Sequence, residues 1–181
     1  MLFGELNGSH LGMWGGGGYS GESESIGALG VRTEPVPGGY RVTHVMDRSP
    51  ATRPTSELVV GDIITAIDST RIAEAGGMPE IDMVAAMAGT AGRETLIERV
   101  PADESASTHV LIVPASAGSV RGLAYLEEVE RRRAQVEELS DGKLGYLHIQ
   151  SMGMASVLDY ERDLYAAANG KLGLVIDVRD N

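Results

Sequence analysis

Residues 5–10 read ELNGSH, which places a serine directly before a histidine close to the start of the sequence. An imidazole changes charge near neutral pH, so His10 is suited to taking and returning a proton. Spacing alone leaves two readings open: one corner of a catalytic site whose other members lie elsewhere, or the more ordinary exposed polar pair or cap. The sequence has no cysteine, which excludes disulfides, thiolate catalysis and Cys-based zinc sites. His44, His109 and His148 fall on predicted strands without ligand spacing, so packing or exposure is expected of them and no metal site is assigned. Ser116, Ser119, Ser151 and Ser156 lack the setting of a nucleophile. Gly15–Gly18 are followed by no Lys-Ser/Thr and preceded by no strand, so they read as linker rather than as a phosphate loop. Asp177, Arg179 and Asp180 lie at the carboxyl end of a predicted parallel strand, where α/β sites collect, and read as scaffold and rim.

The elements that must position such residues follow from composition and periodicity. The 181 residues carry a net charge of -11, which argues against nucleic acid and anionic membranes as partners. No apolar run approaches the roughly 20 residues of a membrane helix. The N-terminus shows no basic-then-apolar signal pattern, which favours a cytoplasmic setting.

Three zones are expected. Residues 1–26 combine the Ser-His segment with the linker-like GGGGYSGESES. Residues 27–115 read as a β-rich unit. IGALGVRT and GYRVTHVM are strands around the turn signal PVPGG, Ser49-Pro50 starts a helical turn, and VVGDIITAIDSTRI turns at Gly-Asp into an alternating strand. A helix over 79–88 places Ile81, Val84, Ala85 and Ala88 on one face and stops at Gly89, and ETLIERV and THVLIVP close the unit. Residues 116–181 change period: a long charged helix with Leu126, Val129 and Val136 near one stripe, then strand KLGYLHI, helix ASVLDYERDLYAAAN and strand LGLVIDV. The charges of the long helix read as a solvated face. The last three elements form a β-α-β unit with parallel strands, and the apolar LGLVIDV suits a strand buried on both faces. The sequence reads as ending in mid-domain, with an open sheet edge that favours self-association into a homo-oligomer.

The segments ALGV (28–31), SPA (49–51), VGDIITAID (60–68) and the helix 79–88 resemble a PDZ domain of the circularly permuted bacterial protease type. The resemblance implies that a peptide adds beside the strand following the turn Leu29, Gly30 and Val31, whose N–H groups take a terminal carboxylate where there is one. With ELNGSH before it and GKLGYLHI and LGLVIDVRDN after it, the order of motifs is similar to the C-terminal half of tricorn-type proteases, within the C-terminal-processing serine peptidases. The implied fold is mixed α+β: a permuted PDZ β-barrel-like domain followed by the start of an α/β peptidase domain. By the resemblance, His10 is the general base of a Ser-His-Ser-Glu tetrad and Ser9 holds its ring in the working tautomer. Nucleophile, oxyanion-hole glycine and glutamate lie beyond Asn181 in that pattern, so the 181 residues by themselves are expected to be inactive. Peptides or unfolded protein segments are the implied partners, and no cofactor is implied. A non-enzymatic peptide-binding module is the alternative.

Overall fold

The computed structural model describes residues 25–103, 106–150 and 154–179, and only the backbone over 154–159. The expected first strand breaks in two, β1 (Gly27–Ala28) and β2 (Val31–Val36). Gly30 causes the break. It sits at φ +79°, and a Cβ there would lie 2.2 Å from Ser49 Cβ, so only glycine fits. β2 pairs antiparallel with β3 (Gly39–Val45) across Pro37-Gly38, where PVPGG predicts the turn.

Ser49 precedes a short 3-10 turn, Pro50–Thr52, with Pro50 at its start. The serine side chain makes no capping bond, and its Oγ is buried without a partner among the described residues. Next comes the Gly-Asp turn into β4 (Ile63–Ile67), which runs through Asp68 and Ser69, both at positive φ, into β5 (Thr70–Arg71). β6 (Thr95–Val100) and β7 (Thr108–Ile112) complete an antiparallel sheet of order β2-β3-β4-β6-β7, with β5 beside β4.

One apolar cluster underlies this sheet: Leu29, Val42, Ala51, Leu58, Ile64 and Ile67, joined by Ile72, Met87, Ile97 and Ile112. Full burial of each Leu, Ile or Val contributes about 1.5–3 kcal/mol relative to exposure. Asp62 staples the Gly-Asp turn to β6. Its carboxylate is fully buried and accepts from Val59 N at 3.0 Å, Ala102 N at 3.2 Å and the Arg99 guanidinium.

The helix expected over 79–88 is a single turn, α1 (Met83–Ala86), started by Asp82, whose side chain accepts from Val84 N at 2.8 Å. That late start changes the buried face. Val84 is exposed, and Met83, Ala86 and Met87 meet the core in place of the predicted Val84 and Ala85.

β8 (Ala115–Ser116) pairs antiparallel with β1 and leads directly into α2 (Ala117–Leu139). Ser116 caps α2 by accepting from Ser119 N at 3.1 Å. Of the predicted stripe, Val129 and Val136 are half-buried and Leu126 is exposed, while Val120, outside it, is buried. β9 (Leu144–His148), α3 (Met154–Ala168) and β10 (Gly173–Asp177) follow, with β9 and β10 parallel in the register Gly173 to Leu144. α2 and α3 both pack on β9. β10 departs from its predicted burial: Val175 is 38% and Ile176 46% exposed. Among the described residues β9 is its only strand neighbour, so nothing covers its far edge.

Candidate functional site

The candidate peptide site rests on how the chain crosses Leu29–Gly30. The carbonyl of Leu29 accepts from Ala51 N at 3.1 Å and that of Gly30 from Met46 N at 2.9 Å. Both carbonyls are thereby tied to the loop after β3. The N–H groups of Leu29 and Gly30 have no acceptor among the described residues. Just upstream, Gly27 N donates to Met87 O at 3.0 Å, which fixes β1 against the end of α1.

A groove of about 310 Å³ opens beside this turn. One wall is Leu29, Gly30, Val31 and Thr33, so the three residues singled out from the sequence do come together there. Met83, Val84 and Met87 form the opposite wall. The start of α2 adds Ala117, Val120 and Arg121. Those three escaped the sequence reading, which placed them in the following zone. The one signal for them was the pairing potential of the short segment just before α2, too brief to stand out.

β2 is an edge strand of its sheet among the described residues. Its unpaired backbone edge can accept an added strand, and Pro35, which has no N–H, limits the ladder to the stretch nearest Gly30.

A wider cleft of about 440 Å³ lies between the β2–β3 hairpin and α2, and most of its lining is charged, with His44 paired to Glu127 and Arg131 to Glu128. His44 Nε2 lies 2.9 Å from Glu127 Oε2, and Glu127 Oε1 accepts from Asp47 N at 2.8 Å. Burial pushes the Glu127 carboxyl up, yet the bonds from His44 and Asp47 N outweigh it and leave the group below its ordinary value. This cleft therefore reads as a latch between hairpin and helix, and the smaller apolar groove is the better ligand site. It also corrects the picture of α2 as a wholly solvated charged face, since Glu127 and Arg132 both bond to other elements.

At the end of β10, the Asp177 carboxylate accepts from Tyr146 OH at 2.8 Å, Arg132 Nη1 at 3.1 Å and Arg179 Nη2 at 2.6 Å. The Arg179 guanidinium, despite desolvation, holds its carboxyl far below the carboxylate range. A carboxylate so saturated cannot exchange protons near neutral pH, which fits a scaffold role. His148 likewise bridges Tyr125 OH and the Arg179 carbonyl, each at 2.9 Å. Ser9, His10, Gly15–Gly18, Ser151 and Asp180 lie outside the described residues.

No family model matches the chain. It is 30% identical to tricorn protease homolog 1 of Streptomyces coelicolor over 99% of its own length and 17% of that protein's. It is 27% identical to the tricorn protease of Thermoplasma volcanium, over 75% of this chain and 12% of that one. A crystal structure of the tricorn protease superposes on 85% of this chain and 15% of that chain, with a TM-score of 0.60 at 21% identity, a likeness of fold. With the fold and the sequence matches in agreement along nearly its whole length, the chain belongs to the tricorn-like proteases and spans 17% of the length of its Streptomyces relative.

Proposed function

We propose that this chain is the peptide-receiving part of a tricorn-like serine peptidase, with residues 27–115 acting as a PDZ domain and residues 116–181 opening the peptidase domain. The observation that carries the reading is the edge strand β2 beside an apolar groove, with the Leu29 and Gly30 N–H groups unengaged at its head. An extended peptide would pair with β2, place an apolar side chain between Val31 and Met87, and present its end to that turn. In the complete enzyme His10 serves as general base toward a nucleophilic serine, and Ser9 orients the imidazole. The peptide bond is broken through a serine acyl-enzyme.

The groove is tested by following backbone amide signals of the 181-residue chain during titration with short extended peptides. Leu29, Gly30 and Val31 are expected to shift first and furthest. Shifts confined to residues away from β2 and α1, across a varied panel, would overturn the reading.

A further inference from the structure

The sequence holds two Asn-Gly pairs, Asn7-Gly8 and Asn169-Gly170, and one Asp-Gly pair, Asp141-Gly142. In such pairs the glycine nitrogen, unshielded by a side chain of its own residue, can attack the side-chain carbonyl carbon just before it. Asn7-Gly8 lies outside the described residues. The other two stand in like places, each in the turn after a helix and before a parallel strand: Asp141-Gly142 between α2 and β9, Asn169-Gly170 between α3 and β10. Gly142 and Gly170 share a positive φ, +74° and +71°. They differ in what holds the nitrogen. Gly142 N donates to Glu137 O at 2.8 Å, whereas Gly170 N has no acceptor among the described residues. Asn169 and Gly170 are both exposed, and nothing stands within 4 Å of the place a Cβ on Gly170 would take.

We propose that Asn169 is a site of spontaneous deamidation, a slow covalent modification of the turn between α3 and β10. The Gly170 nitrogen gives up its proton to hydroxide and attacks Asn169 Cγ. The new C–N bond closes a succinimide ring, and the Cγ–Nδ2 bond breaks to release ammonia. Water then opens the ring at either carbonyl and leaves aspartate or isoaspartate, so one water enters, one ammonia leaves, and no enzyme or oxidant takes part. Either product puts a negative charge at the carboxyl end of α3, where the helix dipole disfavours it. Isoaspartate also lengthens the main chain by one carbon in a tightly tied turn. Lys171 N donates to Ala168 O at 3.0 Å and Leu172 N to Lys143 O at 2.7 Å, which sets Gly173 opposite Leu144. The modification therefore strikes first at the head of the β9–β10 pairing.

The test ages the full 181-residue chain in mildly alkaline buffer, folded and, in parallel, unfolded in guanidinium chloride. Tryptic peptides 163–171 and 134–143 are then read by mass spectrometry and by methyl transfer from an isoaspartate methyltransferase. Peptide 163–171 of the folded chain is expected to gain one mass unit and the isoaspartate label, at a rate within about tenfold of the unfolded chain, as befits a turn that opens freely. The rate should rise with pH, and Asn169→Gln should show no such gain. Peptide 134–143, whose glycine nitrogen is held, should take the isoaspartate label far more slowly folded than unfolded. Asn169 kept intact in the folded chain while the unfolded chain converts, or Asp141 slowed by folding no more than Asn169, would overturn the assignment.

Discussion

Replacing Asp62 with Asn tests whether the buried carboxylate holds the Gly-Asp turn against β6. The wild-type group is fully buried and receives two backbone N–H groups and the Arg99 guanidinium. Asn keeps one acceptor oxygen and turns an NH2 toward donors already in place. One backbone amide is then left unsatisfied, at about 1–3 kcal/mol, and Arg99, itself mostly buried, loses its countercharge. Breaking a buried pair from one side costs about 3–5 kcal/mol, and the retained oxygen returns part of this, so a loss of about 3 kcal/mol is expected. Urea unfolding followed by far-ultraviolet circular dichroism reads it as a midpoint lowered by roughly 1.5 M at a slope of about 2 kcal/mol per M. Adding Arg99→Gln should cost less than the sum of the single changes, because the arginine is already unpaired. A midpoint shift under about 0.5 M for Asp62→Asn, with unchanged slope, would refute the staple.

Gly145→Ala should loosen α3 from β9, since the added Cβ would stand 2.0 Å from the Ala167 carbonyl oxygen and 2.7 Å from Leu174 Cδ2. A cost of about 1–3 kcal/mol by overpacking is expected, seen as a lower thermal midpoint, and an unchanged midpoint would contradict the close approach. Glu127 has a folded pKa below its ordinary 4.5, so its latch on His44 and Asp47 N is complete above pH 4.5 and is lost as pH falls through the lower folded value. An acid titration should therefore move the Asp47 amide signal below about pH 4.5, and movement centred near neutral pH would point to another group. The 181-residue chain should resist labelling by a serine-directed fluorophosphonate, whereas His10→Ala in a longer active enzyme should lower turnover by roughly three to six orders of magnitude. Stoichiometric labelling of the 181 residues, or full activity of that variant, would contradict the assignment.

Much of the β-rich unit was legible because its signals are local. Pro37-Gly38 dictates a turn, and Ile64, Ala66 and Ile67 announce β4 by their apolar pattern. The phase of α1 was not legible from apolar spacing, because capping by Asp82 decides where the turn begins, and a one-turn helix has too few residues to average out that choice. For β10 the apolar run and the expected open sheet edge pointed in different directions, and the open edge agrees with the exposure. An apolar run such as LGLVIDV records what a strand can be packed against, and Val175 and Ile176 are exposed where, among the described residues, no neighbour covers them. In the candidate groove, Leu29–Val31 stood out through Gly30, whereas the share of the start of α2 did not. That share depends on the β1–β8 pairing that brings α2 to the groove, a contact between residues far apart in sequence. The Glu127 and Arg132 contacts were hidden for the same reason, within a helix whose charges otherwise pair along its own surface.

The claim on which the account depends is that a peptide becomes an added strand on β2, and a crystal structure of the chain with an acetylated hexapeptide ending in valine measures it directly. The account predicts an antiparallel ladder on the free edge of β2 that stops before Pro35, the terminal side chain between Val31 and Met87, and the carboxylate within hydrogen-bond reach of the Leu29 and Gly30 N–H groups. A peptide bound on any other surface, or lying in the groove without a ladder to β2, would contradict it.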